Sequence, residues 1–257
     1  MKTPYLTLTE SEKIKKQKTM NAIPGFYNFI PYVYNTFIKL PFHMGIKKDE
    51  EDVNIINIQD TFQFYIYDFP FKVRNIYTLM EIGSYTDATI LFRTLVESFI
   101  YYKYYILNND GVGLSKYILR ETKPRIKDIF ERVVPGFYDG IYSELCNHTH
   151  GNPLIQAIFR GNTSKETPLK SDINNINLDW FSYVSNQLEP LFIGVIRLYK
   201  IAFPNNTIEK DKDLMKGIEV IHQFVEKNIL DRKTLYPVQL PMIEYYNKII
   251  EVNYQNN

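Results

Sequence analysis

Residues 87–107 read DATILFRTLVESFIYYKYYIL, and this stretch decides the fold class. Leu91, Leu95, Ser98, Tyr102 and Ile106 recur at three-and-four spacing, the period of an α-helix. The opposite side is apolar as well, through Ile90, Val96, Phe99 and Ile100, and the only charges are Asp87, Arg93, Glu97 and Lys103. A helix that is apolar nearly all round has no face to offer to water, so it belongs in the middle of a core. The stretch is therefore predicted to be the buried central helix of an all-α multi-helix bundle, with Ser84 or Thr86 at its start.

Working outward, Ile58–Ile82 reads as a helix closed by Gly83, with a kink or break expected near Phe69 because Pro70 lacks the amide that a helix interior needs. After the NNDGVG turn at 108–113, residues 114–132 form a polar helix or a pair divided at Pro124. PGF at 135–137 stops them, and residues 138–150 carry a further helix. Residues 161–175 are expected to be a loop. Trp180, Val184, Leu188, Leu191, Val195 and Leu198 then define an amphipathic helix from Trp180 to Ala202 in spite of Pro190. Two last helices are expected near 208–228 and 240–252.

Towards the N-terminus, Thr9 precedes Glu12 by three in a capping-box arrangement. FYNFIPYVYNTFIKLPF, residues 26–42, reads as short helical pieces interrupted by prolines. KKDEED at 47–52 is a solvated link, which divides the chain into an irregular, aromatic helical arm (residues 1–50) and a bundle domain (residues 51–257). No segment alternates polar and apolar residues as a strand does, and none repeats at a fixed period. Doubly wound sheets, barrels and solenoids are thereby excluded.

Composition narrows the function classes. Thirty Lys and Arg against 29 Asp and Glu leave a net charge of +1, so no global field draws the chain onto nucleic acid or an acidic membrane. A single cysteine, Cys146, allows no internal disulfide and no cysteine-built zinc site. It fits a reducing compartment. The start of the chain has no apolar signal-like run, and the longest apolar stretch, LFIGVIRLYKIAF, is broken by Arg197 and Lys200. A cytoplasmic protein with no membrane span is the expectation. No glycine-rich phosphate loop, nucleophile elbow or DNA-reading motif is present, so no cofactor is expected.

Four features carry candidate function. Arg93 and Glu97 stand four apart on the most apolar helix, where each is expected to reach a neighbouring helix as well as the other. YSELCNHTHGN, residues 142–152, places Glu144 four before His148 and Cys146 four before His150. Histidine is the side chain best suited to proton transfer near neutral pH, although a helix C-terminus also favours it as a cap. Cys146 beside His150 could read as a nucleophile with its base, and Glu97, Glu144, His148 and His150 as a metal set, but neither has an activating or ligand-type spacing. Lys116, Arg120, Lys123, Arg125, Lys127 and Arg132 make residues 116–132 a local basic surface that could meet RNA phosphates, although without a binding motif it reads first as a solvated face. Finally, the density of Tyr and Phe at 26–42 and 62–71, residue types enriched at interfaces, points to a homo-oligomer or a protein partner.

GSYTDATILFRTLVES and YSELCNHTHGN together resemble a family of uncharacterised bacterial helical proteins, which carry a G-x-x-x-x-A-x-x-L-x-R-S-L-x-E helix and then Y-S-x-L-S-x-x-V-H. The likeness covers residues 80–155, with Cys146 where the family usually has serine and Thr149 where it has valine. The arrangement is also similar to the HEPN superfamily, compact helical domains that often act as metal-independent ribonucleases in toxin and phage-defence systems. That resemblance implies a catalytic set of Arg93, Glu97 and His150. In HEPN proteins the arginine precedes the histidine on one helix, whereas here Arg93 would come from the neighbouring one. Two readings follow. One is a non-catalytic interaction or oligomerisation module whose polar cluster locks the helices together. The other is a HEPN-like ribonuclease with His150 as acid or base and Arg93 stabilising phosphate charge.

Overall fold

The computed structural model describes residues 8–45, 58–122, 124–149, 176, 178–235, 247–249 and 251. Helix α1 spans Leu8–Ala22, α2 Pro24–Lys39, α3 Ile58–Glu81 and α4 Tyr85–Leu107. Then come α5 Gly111–Ile118, α6 Ile126–Val133, α7 Ser143–Thr149, α8 Leu178–Ala202 and α9 Lys212–Leu235. Single 3-10 turns follow α2 and precede α9, and one π turn, Tyr138–Tyr142, leads into α7. Among the described residues there is no strand, and the chain is an all-α multi-helix bundle. The expected loop at 161–175 lies outside the described residues, as does all but Asn247–Ile249 and Glu251 of the expected last helix.

The α3–α4 hairpin is set by its turn. Gly83 sits at φ +80, a conformation that side chains with a Cβ avoid. It lets the Gly83 amide reach the Met80 carbonyl (3.1 Å) and the Ser84 amide reach the Leu79 carbonyl (2.7 Å). These bonds end α3 in a Schellman motif. Ser84 then serves as N-cap residue of α4, and its hydroxyl bonds the Asp87 carboxylate at 2.5 Å. At the start of the chain the expected capping box is displaced, since α1 already begins at Leu8 and Thr9 lies in its first turn.

One expectation about proline is corrected and another narrowed. Residues 26–39 form one helix, containing Pro31, rather than short pieces, and of the kink or break expected near Phe69 the break does not occur, since α3 runs on through Pro70. Tertiary packing explains both. Phe69 and Pro70 are buried, with the Phe37 ring 4.5 Å from that of Phe69 and Phe192 set edge-on to it at 6.2 Å. A proline costs a helix interior about 3 kcal/mol, and each fully buried phenylalanine returns a comparable amount.

Ring contacts give the helix directions. Tyr77 meets Phe181 at one end of α3, while at the other Phe62 meets Phe203 and the Gln59 amide donates to the Ala202 carbonyl at 2.8 Å. Helix α8 is therefore antiparallel to α3 and parallel to α4. Against α2, α9 runs antiparallel. Phe29 stacks on Phe224 at 3.7 Å, and a Cβ on Gly217 would overlap the Thr36 hydroxyl. At the end of α2, Lys39 and His43 both reach Asp211 at 3.4 Å. Gly194 lets α8 approach α4, since a Cβ there would fall 2.8 Å from the tip of Phe99. Helix α4 sits between α3 and α8 with Phe92, Leu95, Val96, Phe99 and Ile100 fully buried, which is the central position its composition predicts. Ile90 alone of its large aliphatic residues faces outward, at 41% exposure.

Candidate functional site

Arg93 and Glu97 lie on α4, one turn apart and both about a quarter exposed, with Arg93 Nε 3.0 Å from Glu97 Oε1. The π turn and α7 pack against this part of α4 and bring Tyr142 onto the pair. The Tyr142 hydroxyl donates a short hydrogen bond to the same Oε1 of Glu97. Glu97 thus reaches a second helical segment, as expected of it. Burial, together with the Glu97 carboxylate and Cys146, pushes the Tyr142 phenol far above its ordinary acidity, so it stays a neutral donor. Tyr101 and Tyr117 stack at 4.2 Å nearby, and both phenols are raised by burial with Glu97 contributing.

This geometry constrains the chemistry. The Glu97 oxygen that faces the cluster accepts from the Tyr142 hydroxyl and lies within the ion pair with Arg93, which makes it an anchor between the two segments. Cys146 is half-buried one turn after Tyr142. His150 lies outside the described residues, and the side chains of Glu144 and His148 are likewise not described. Among the described residues no group of three His, Cys, Asp or Glu side chains gathers as metal ligands do.

The basic surface is partly neutralised within the fold. Lys127 donates to both oxygens of Asp139 at 2.8 Å and lies over the Tyr138 ring, while Arg132 donates to the Tyr104 hydroxyl at 3.2 Å. Lys116, Arg120 and Arg125 are exposed, and Lys123 is outside the described residues.

Two features escaped the sequence. Lys103 is 2% exposed, and its ammonium donates to the carbonyls of Lys248 at 2.6 Å and Ile249 at 3.3 Å. Burial lowers its pKa to about 8, opposed by the Glu251 carboxylate and assisted by Arg197. A signal existed, because Lys103 continues the stripe of Phe92, Val96 and Phe99 at three-and-four spacing. The second feature is the sorting of the aromatic residues. Phe26, Phe29, Phe37, Phe62, Tyr65 and Phe69 go to the core, whereas Phe64 (71% exposed), Tyr67 (44%) and Phe71 (53%) form an outward stripe on α3. Phe42, just past α2, is 77% exposed.

The chain is thus an all-α multi-helix bundle with a tyrosine-rich ion-pair cluster on α4 and an outward aromatic face on α3. Comparison with family models, with curated proteins and with solved structures finds no match to this chain. Among the described residues no helix is long and apolar enough to cross a membrane.

Proposed function

We propose that the protein is a non-catalytic helical interaction module that associates through the outward face of α3. The observation that carries this reading is the row of Phe64, Tyr67 and Phe71, three aromatic side chains on successive turns of one helix, each at least two-fifths exposed. Single exposed apolar residues need no explanation, but a contiguous aromatic strip on a surface marks a contact site. The Arg93–Glu97–Tyr142 cluster then serves to hold the π turn and α7 to α4. Phe64→Ser with Phe71→Ser, which remove no core contact, are expected to abolish association while leaving the melting temperature unchanged. Association that persists in this double variant contradicts the reading.

A second reading is kept for one observation. Helix α7, which ends at the residue before His150, packs on α4 beside Arg93 and Glu97, the neighbourhood a HEPN-like ribonuclease would use with RNA on residues 116–132. It is tested by RNA cleavage in chelator by the wild type and His150→Ala, with melting of both as control. Cleavage lost only in the variant, at unchanged melting, supports it. No cleavage by the wild type removes it.

A further inference from the structure

Resting on the interaction reading, we propose that the partner on α3 is a second copy of the same chain, docked antiparallel about a two-fold axis near Phe69.

The exposed residues Asp60, Phe64, Tyr67, Phe71, Arg74 and Thr78 follow one another at spacings of four, three, four, three and four. That is the heptad rhythm of a helix–helix seam, and on a helix advancing about 100° per residue the six share a sector of about 80°. No core position is involved, since α3 turns Phe62, Tyr65, Ile66, Phe69 and Val73 inward. Helix α3 therefore carries two faces, one packed within the protomer and one with no covering among the described residues.

The strip has an apolar centre and charged ends of opposite sign. Neither Asp60 nor Arg74 has an ion-pair partner among the described residues, whereas Asp68 and Lys72, on the flank, pair with each other at 2.7 Å. A face with a carboxylate at one end and a guanidinium at the other is complementary to itself only when its copy is reversed. In the antiparallel arrangement Tyr67 lies opposite the partner's Phe71 and Phe64 opposite the partner's Arg74. That guanidinium covers the Phe64 ring and reaches the neighbouring Asp60. The two-fold repeats each contact. A parallel pair would instead set Asp60 against the partner's Asp60 and Arg74 against the partner's Arg74. A seam of five turns is small for a stable interface, so the dimer belongs to the weak class.

The experiment is sedimentation equilibrium at low salt on the full chain, with melting as folding control. Asp60→Lys and Arg74→Glu are each expected to weaken the wild-type dimer about tenfold, because each turns two symmetric attractions into repulsions. An equimolar mixture of the two single variants restores association. In the mixed dimer the lysine introduced in one chain faces the glutamate introduced in the other, and the native Asp60 and Arg74 still face each other at the opposite end. A dimer that dissolves with Phe64→Ser and Phe71→Ser but ignores both charge reversals, or that the mixture fails to restore, overturns the antiparallel pairing and leaves the aromatic face as interface. A wild type that stays monomeric, or a dimer indifferent to the aromatic substitutions, overturns both.

Discussion

Lys103 holds an ammonium in the buried central helix and donates it to the carbonyls of Lys248 and Ile249. Its pKa is lowered from 10.5 to about 8, so between those values the unfolded chain binds more protons than the folded one. Stability contributed by this group therefore rises with pH across that window. We expect the wild type to gain on the order of 2 kcal/mol relative to Lys103→Met between about pH 8 and pH 10.5. Urea unfolding of both proteins measures it, and the raised tyrosines, common to both, cancel. A difference that does not change with pH would mean that Lys103 is solvated like a surface lysine. Residue-scale reading of the sequence reached Arg93 and Glu97 because charges interrupt an apolar run. It did not reach Tyr142, whose role depends on the π turn laying it on α4, a contact that local spacing does not encode.

At the scale of elements, helix approach is governed by a few small side chains. Thr36 on α2 and Gly217 on α9 meet so closely that a Cβ at 217 would overlap the Thr36 hydroxyl. That hydroxyl is buried and makes no hydrogen bond, unlike those of Thr89 and Thr94, which close onto carbonyls four residues back. Gly217→Ala is expected to destabilise the fold by about 1–3 kcal/mol, because overpacking a helix crossing outweighs the gain in helix propensity. Adding Thr36→Ala makes room and should recover most of the loss in thermal melting. Equal melting of Gly217→Ala and wild type would contradict the close crossing. Helix positions were largely legible, α8 from its six-residue apolar register and the α3–α4 turn from Gly83. What failed was proline. Pro31 looks like a break from sequence and Pro70 like a kink or a break, and the ring packing of Phe37, Phe69 and Phe192 that holds α2 and α3 unbroken comes from residues far apart along the chain.

For the whole molecule, the aromatic richness that suggested an interface divides in two. Most of it builds the core between α2, α3 and α8, which is why Phe26, Phe29 and Phe37 cannot serve a partner. Of the remainder, Phe64, Tyr67 and Phe71 face outward on α3 in heptad rhythm, while Tyr32 on α2 and Phe42 just past it are exposed outside that row. Sequence reading saw the density of Tyr and Phe at 62–71 but not the division. Inward and outward stripes interleave along one helix, and only the neighbours of α3 determine which is which. Association through α3 is tested by sedimentation velocity of the wild type up to about 100 μM, beside the Phe64→Ser, Phe71→Ser double variant. We expect a monomer–dimer equilibrium in the wild type and a monomer in the variant at every concentration. A wild type that remains a monomer throughout, or a variant that dimerises equally well, would contradict it.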